Sequence, residues 1–356
     1  MKKKLVVNLA MIGERPTGLG VYSLVCAAIA EKFDSVVICN GAYARFNLRR
    51  IDSPSEIAIG GGRFAAVRRF FWLRRVKLGV EAVVYSPTHH GLPRARGQII
   101  TIHDLICLRF PRQHWVQFLY FKYILPLIVK RCAAVFTVSE TSKNDIVQNY
   151  NVEPDRVFVV PNSIDSSRFF PSVEMPIGDY LLMVGARYSH KNVVEMLENS
   201  ELWSSRYKLV VTSCSGRYRD ELDKLIAKLG LESAVQFHDY VDDVKLLSLY
   251  QNCAALIYPS LWEGFGIPPL EALACGRPVI ASDIPVHREV LAGAAIYVEL
   301  GQVSSWRHAL EALADTDGCE VRRVAGHDRV SYFSRENSLC KLREALLKVD
   351  SGLEEI

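Results

Sequence analysis

The sequence predicts an α/β protein of two doubly wound parallel-sheet domains, and three observations carry that expectation. Short apolar, β-branched runs recur along the whole chain with helical or polar segments between them, the alternation of parallel sheets covered by helices. At 356 residues and 49% hydrophobic side chains the chain can fill two cores. A Pro-containing stretch from Pro161 to Pro176 interrupts the alternation near the middle.

In the first half, Leu5 to Leu9 reads as a buried strand, Thr17-Gly18-Leu19-Gly20 as a glycine loop, and Val21 to Phe33 as a helix. Strand, glycine loop and helix let a ligand approach backbone closely, although the G-x-G-x-x-G spacing of dinucleotide binding is missing. Further strands are expected at Val36 to Cys39, Ala82 to Tyr85, Ile99 to Ile102, Ala134 to Val138 and Val157 to Val160. Their carboxyl ends, which face the ligand crevice in such sheets, carry Ser86, Pro87, Thr88, His89 and His90, then His103 and Asp104. His89 and His90 are read as structural.

Two apolar stretches of this half bear on membranes. Trp115 to Phe136 is broken by Gln117, Lys122, Pro126, Lys130 and Arg131, which fits a long buried helix and not a spanning one. In Arg63 to Lys77, arginines 68, 69, 74 and 75 interleave with Phe64, Val67, Phe70, Phe71, Trp72 and Leu73. Such a helix either lies on an anionic membrane surface or packs its aromatics inward behind a basic solvated face.

The second half restarts the alternation with Tyr180 to Val184, followed directly by Gly185, Arg187, Lys191 and Asn192. A guanidinium fork and a compact ammonium at a strand end can share a diphosphate and stabilise its departing charge. Strands at Lys208 to Thr212, Val235 to Phe237, Ala254 to Tyr258, Pro278 to Ala281 and Ala295 to Val298 continue the sheet, and the pattern turns helical after Gly301.

The densest chemistry lies in residues 259 to 276. The strand ending at Tyr258 runs into Glu263-Gly264-Phe265-Gly266, and Pro268 and Pro269 suit the first turn of the next helix, where a missing N–H costs nothing. Unpaired N–H groups and the positive end of the helix dipole there can receive an anion or a row of hydroxyls. Glu271 follows Pro268 by about one helical turn. Flanked by Leu270, Ala272, Leu273 and Ala274, its carboxylate needs strong donors such as the two hydroxyls of a sugar diol.

Here the sequence resembles the retaining glycosyltransferases of family four, which have the GT-B architecture: two Rossmann-like doubly wound domains facing a central cleft. Glu263 and Glu271, with seven residues between them, match the family's E-x7-E motif, and Glu-Ala-Leu-Ala-Cys-Gly-Arg-Pro-Val-Ile follows. Pro161-Asn162-Ser163-Ile164-Asp165 resembles the family's Asn-Gly-Val-Asp stretch with Ser163 in place of glycine, and Ser213-Cys214 departs from a glycine common in the family. The resemblance implies an acceptor-side domain over 1–166, a nucleotide-sugar domain over 167–335 and a last helix in 336–356 that crosses back to the first domain. It implies that Glu263 and the N–H groups of Gly264, Phe265 and Gly266 hold the donor sugar, Glu271 the ribose diol, His103 a sugar hydroxyl, and Gly18 and Gly20 the phosphates. Arg187 and Lys191 match the phosphate-binding pair, and Asp104 orients either His103 or the acceptor.

The segment from Thr101 to Ile106, with Phe110-Pro111, resembles bacterial mannosyl- and rhamnosyltransferases of polysaccharide assembly. The expected donor is GDP-mannose, with a UDP-hexose close behind, and the acceptor a saccharide or lipid-linked oligosaccharide. Front-face substitution is expected, the departing phosphate oxygen taking the acceptor proton. The only D-x-D, Asp315-Thr316-Asp317, reads as a polar loop between helices, so no metal and no further cofactor are expected.

A net charge of +4 gives no support to a nucleic-acid partner. Nine scattered cysteines without C-x-x-C, and no leader before the first strand, suggest reduced thiols in the cytoplasm, with peripheral attachment to the inner membrane face through the basic helix. A nicotinamide-dependent oxidoreductase would need the missing fingerprint, and a two-lobed sugar-binding protein would carry an export leader.

Overall fold

Short β-branched and aliphatic runs such as Leu5-Val6-Val7 and Leu209-Val210-Val211 form strands buried on both faces, as helix-covered parallel sheets require. The computed structural model describes residues 2–13, 18–40, 49–59, 62, 64–78, 81–172 and 178–356. They form two units, residues 1–163 with 335–356, and residues 164–334. Thr17, Arg63 and Pro176 lie outside the described residues.

The first unit holds seven strands: β1 (Lys4–Asn8), β2 (Ser35–Cys39), β3 (Arg49–Asp52), β4 (Ala82–Ser86), β5 (Ile99–Thr101), β6 (Ala134–Thr137) and β7 (Val157–Val159). All pair in parallel in the order 3-2-1-4-5-6-7. The second unit holds β8 (Tyr180–Met183), β9 (Lys208–Thr212), β10 (Val235–His238), β11 (Ala255–Tyr258), β12 (Val279–Ser282) and β13 (Ile296–Val298), parallel in the order 10-9-8-11-12-13. Each sheet reverses its winding once, between β1 and β4 and between β8 and β11, and ligands of doubly wound sheets bind outside the strand ends at that point.

Several sequence expectations need correction. Strand β3 was not anticipated: Arg49-Arg50-Ile51-Asp52 is a mostly exposed edge strand without an apolar run. The first helix is Gly18–Ala27, continued by a 3₁₀ turn over Ala28–Lys32, so Gly18 and Gly20 belong to its first turn and not to a loop before it. The stretch after Pro161 is no free linker. Ile164 bridges to Ser334, and Phe169 is buried with its ring 5.7 Å from that of Tyr250. Asp315-Thr316-Asp317 is a helix start, where the Asp315 carboxylate accepts the Gly318 N–H at 3.1 Å.

The Trp115 to Phe136 stretch differs most. It is helical from Trp115 to Val129 and then enters β6, and it is not buried: Trp115, Val116, Leu119, Tyr123, Ile124 and Leu127 are exposed. Pro126 cannot donate to Lys122, and the turn ahead of it widens to a π-helix over Tyr120–Ile124, with the Leu125 N–H bonded to the Tyr120 carbonyl. The inner face, with Phe121, Leu125 and Val129, packs into the core. Among the described residues no helix is long and apolar enough to cross a membrane.

The final helix, Arg335–Val349, buries Leu342, Ala345 and Leu346 and contacts Gly18–Ala27 within the first unit. After it, Leu353 bridges to Lys3 and Glu355 to Phe33.

Candidate active site

In the second unit the switch between β8 and β11 gathers the polar groups. After β8, Gly185 takes φ +74 and the chain turns through Ser189–Lys191 into Asn192, itself left-handed at φ 57. These two turns bring Lys191 back over the sheet end. After β11 the chain reaches Glu263, and Gly266, at φ +88, caps the helix Ile267–Ala274 with Pro268 and Pro269 in its first turn. A Cβ on Gly266 would stand 3.3 Å from Tyr258 Cε1, so both the dihedral and the space select glycine.

The result is one buried cluster. Lys191 Nζ donates to Glu263 Oε1 at 2.6 Å and to the Tyr258 hydroxyl at 3.0 Å, and the ammonium lies 4.9 Å from the centre of the Tyr258 ring. The side chains of Lys191 and Glu263 are only 17% and 8% exposed. Burial pushes the Glu263 carboxyl up, but Lys191, His190 and the hydrogen bond from Lys191 outweigh it and hold the group down at about 2. Burial works against the Lys191 ammonium too, and Glu263 and Tyr258 outweigh it and hold its pKa above the ordinary lysine value. The pair is therefore ionised at neutral pH.

Glu271 lives in a different field. Tyr250, fully buried on the helix Asp243–Asn252, donates its hydroxyl to Glu271 Oε2 at 2.6 Å. Burial raises the Glu271 carboxyl above its ordinary value, and Tyr250 and then Arg168 only partly oppose this. Arg187 is exposed, its guanidinium 5.7 Å from the Tyr188 ring centre. Phe265 is buried edge-on against Phe333 at 5.1 Å, so its side chain is core and only its backbone can face a ligand. His287 stands beside the glycine turn: its Nδ1 lies 2.9 Å from the Ser282 carbonyl, and its Nε2 is buried without a hydrogen-bond partner among the described residues.

In the first unit, Gly18 and Gly20 open the helix after β1, and the space where a Gly18 side chain would sit is open. His103 follows β5. Its Nε2 lies 3.2 Å from the Pro87 carbonyl and its ring meets Tyr22 edge-on at 4.6 Å. Burial pushes His103 down to about 4, with the Pro87 hydrogen bond opposing. A neutral ring with Nε2–H on a carbonyl leaves Nδ1 as an acceptor for a hydroxyl. Asp104 Oδ1 accepts the Ile106 N–H at 2.9 Å and so fixes the turn that carries His103. His89 and His90 pack on Phe121 and Tyr120, and burial holds both far below the ordinary histidine value.

The structure thus joins Lys191 to Glu263, pairs Glu271 with Tyr250, and leaves Arg187 at the surface. Sequence reasoning missed Tyr258, Tyr250 and His287. Tyr258 ends an apolar run and Tyr250 sits on an amphipathic helix, so each reads as core; only the carboxylates opposite them mark them out.

Comparison with known proteins bears on this arrangement. Residues 18–168 match the family described as Glycosyltransferase Family 4 and residues 172–322 the one described as Glycosyl transferases group 1. The O-antigen chain mannosyltransferase RfbU of Salmonella typhimurium is 35% identical over 321 residues, 86% of this chain and 90% of that protein. This chain belongs to glycosyltransferase family four. The glycosyltransferase is also 26% identical to the O-antigen chain mannosyltransferase B of Escherichia coli, over 90% of this chain and 93% of the relative. Its fold is GT-B. The solved structure of Anabaena Alr3699/HepE in complex with UDP and glucose matches it with a TM-score of 0.73 at 15% identity, over 97% of this chain and all of that one.

Proposed function

We propose that this glycosyltransferase moves a hexose, mannose before others, from a nucleotide sugar to a saccharide or lipid-linked acceptor in cell-surface polysaccharide assembly, with retention at the anomeric carbon. The names of the two O-antigen mannosyltransferase relatives support mannose and hence GDP-mannose as donor. The observation that carries the reading is the buried Lys191–Glu263–Tyr258 cluster at the winding switch of the second sheet. An ammonium has three donors. Glu263 and Tyr258 take two, and the third is available to a phosphate oxygen of the donor.

In this reading Glu263 and the N–H groups of Gly264, Phe265 and Gly266 hold the sugar, and Glu271, steadied by Tyr250, accepts the ribose diol. Lys191 and Arg187 neutralise the leaving nucleoside diphosphate without a resident metal or other cofactor. The C1–O bond to the diphosphate breaks as the acceptor oxygen bonds C1 from the same face, and the acceptor proton passes to the departing phosphate oxygen. Gly18 and Gly20 offer N–H groups to phosphate, His103 accepts a sugar hydroxyl through Nδ1, and Asp104 acts by holding His103 in place. The nine cysteines, all free thiols and seven of them buried, support work in the cytoplasm, with attachment to the inner membrane face.

The test is to incubate the protein separately with GDP-mannose and UDP-glucose, with and without a chelator, and follow nucleoside diphosphate release and sugar transfer to oligosaccharide. Release from GDP-mannose that survives the chelator and yields an α-linked product supports the reading. Release from UDP-glucose alone moves the donor to the UDP-hexoses, and loss with chelator overturns metal independence.

A further inference from the structure

The first unit contains a second concave feature, which begins at His90 just past the carboxyl end of β4. The helices Ala65–Leu73 and Trp115–Val129 and the segment from His90 to Gln98 all line a groove of about 550 Å³, large enough for part of a lipid. Its walls are Ala66, Phe70, Leu73, Leu92, Ile124 and Leu127, and the lining also holds Arg69, Arg74, Arg94 and Arg131 but no aspartate or glutamate. Four like charges around an apolar slot repel one another, and an anion relieves that cost.

Arg69 makes the point most sharply. It is 6% exposed, and its Nη1 donates to the Ile57 carbonyl at 2.6 Å. A buried guanidinium held by a neutral carbonyl is costly without an anionic partner. In the same wall His90 Nδ1 is buried with no hydrogen-bond partner among the described residues. Burial keeps the His90 ring neutral, so the positive charge here belongs to the arginines. Outside the groove further apolar side chains are exposed: Phe64, Val67 and Phe71 at and along one helix, Trp115, Val116 and Leu119 on the other. Exposed aromatics beside a basic slot suit the boundary between headgroups and acyl chains.

We propose that this groove seats one anionic phospholipid of the bilayer, its phosphate on the arginines and the first part of an acyl chain between the two helices. This deepens the membrane-attachment part of the proposed function by naming the ligand and its seat, and it is independent of the donor chemistry. It differs from diffuse attraction to a charged surface because shape as well as charge must match. Replacing arginines 68, 69, 74 and 75 together would not test it, since loss of Arg69 also removes an internal hydrogen bond.

Two variants separate shape from charge, both at exposed positions. Ala66→Trp fills the groove and keeps every charge; the triple variant Arg74→Gln, Arg94→Gln, Arg131→Gln keeps the shape and removes three charges. Binding is measured by calorimetry with monomeric dihexanoyl phosphatidylglycerol and with glycerol phosphate, and by flotation with phosphatidylcholine vesicles with and without phosphatidylglycerol. The short-chain lipid should bind and glycerol phosphate should not. Ala66→Trp should weaken the short-chain lipid about tenfold or more, and the triple variant should lower partition into anionic vesicles on the order of a hundredfold. Transfer to a soluble oligosaccharide should be unchanged in both variants.

Equal binding of glycerol phosphate would make the groove an anion site and overturn the proposal. Undiminished lipid binding by Ala66→Trp would place the lipid elsewhere while leaving membrane attachment intact. No binding of wild-type protein to anionic vesicles would overturn seat and attachment together. A concentration-dependent dimer that Ala66→Trp abolishes would assign the groove to a second copy of the chain.

Discussion

Lys191 and Glu263 stand 72 residues apart in sequence and 2.6 Å apart in space, each nearly removed from water. Deleting one partner of such a pair leaves the other charged and buried, which typically costs about 3–5 kcal/mol. Lys191→Met should lower unfolding free energy by roughly that amount, and adding Glu263→Gln should recover most of it. Chemical denaturation of the three variants gives the coupling; two independent, additive losses would contradict a shared pair.

The same pair sets a pH window. Glu263 titrates at about 2 in the folded chain, below the ordinary glutamate value of about 4.3. Its depressed pKa stabilises the protein fully above the unfolded value, and that contribution disappears as pH falls from about 4.3 towards 2. Wild-type protein should lose more stability than Glu263→Gln across that interval in acid denaturation. Parallel curves would show that Glu263 is not held down.

The two acids should separate kinetically. Glu271→Gln replaces charged acceptor oxygens with a neutral amide and should weaken nucleoside diphosphate binding by about 1.5–3 kcal/mol, and Tyr250→Phe should weaken it less. Because burial raises the Glu271 carboxyl, diphosphate affinity should fall on acidification before an ordinary glutamate would protonate. Glu263→Gln should spare that affinity and reduce turnover. Calorimetry with the diphosphate and initial rates with the full donor read the two effects; diphosphate affinity lost equally in both variants would defeat the assignment.

His103 is expected to stay neutral throughout the working range, since burial places it at about 4. The pH dependence of kcat should then show no imidazole ionisation above about pH 5, and His103→Gln should keep part of the activity that His103→Phe loses. An imidazolium signal for His103 at pH 7 in NMR would reverse this.

Gly266→Ala forces a side chain onto φ +88 and against Tyr258 at 3.3 Å. The strain should cost about 1–3 kcal/mol and lower turnover by displacing the N–H groups next to Glu263. Unaltered thermal stability would show that the turn accepts another conformation.

The sheets were legible because runs such as Leu5-Val6-Val7 and Leu209-Val210-Val211 are buried on both faces and leave little choice but a central parallel strand. Strand β3 escaped because an edge strand pairs on one side and needs no apolar run. Glu263 and Glu271 could be found from the turn and helix start that present them, and Lys191 from its place after β8, whereas Tyr250, Tyr258 and the pairing itself could not. Lys191 and Tyr258 are 67 residues apart, and nothing local in either segment announces the other. The helix from Trp115 was misjudged for a related reason. Apolar content says that a surface avoids water, not what covers it, and here only one face meets the core.

Residues 335–356 belong to the first unit although 164–334 separate them from the rest of it. During synthesis, the ribosome delivers the helix Arg335–Val349 and the bridge from Leu353 to Lys3 only after the whole second unit has been made. The seven-stranded unit therefore waits without the helix that contacts Gly18–Ala27, while the six-stranded unit is contiguous in sequence. On the ribosome, all residues of the middle unit are therefore available before the last residues of the first.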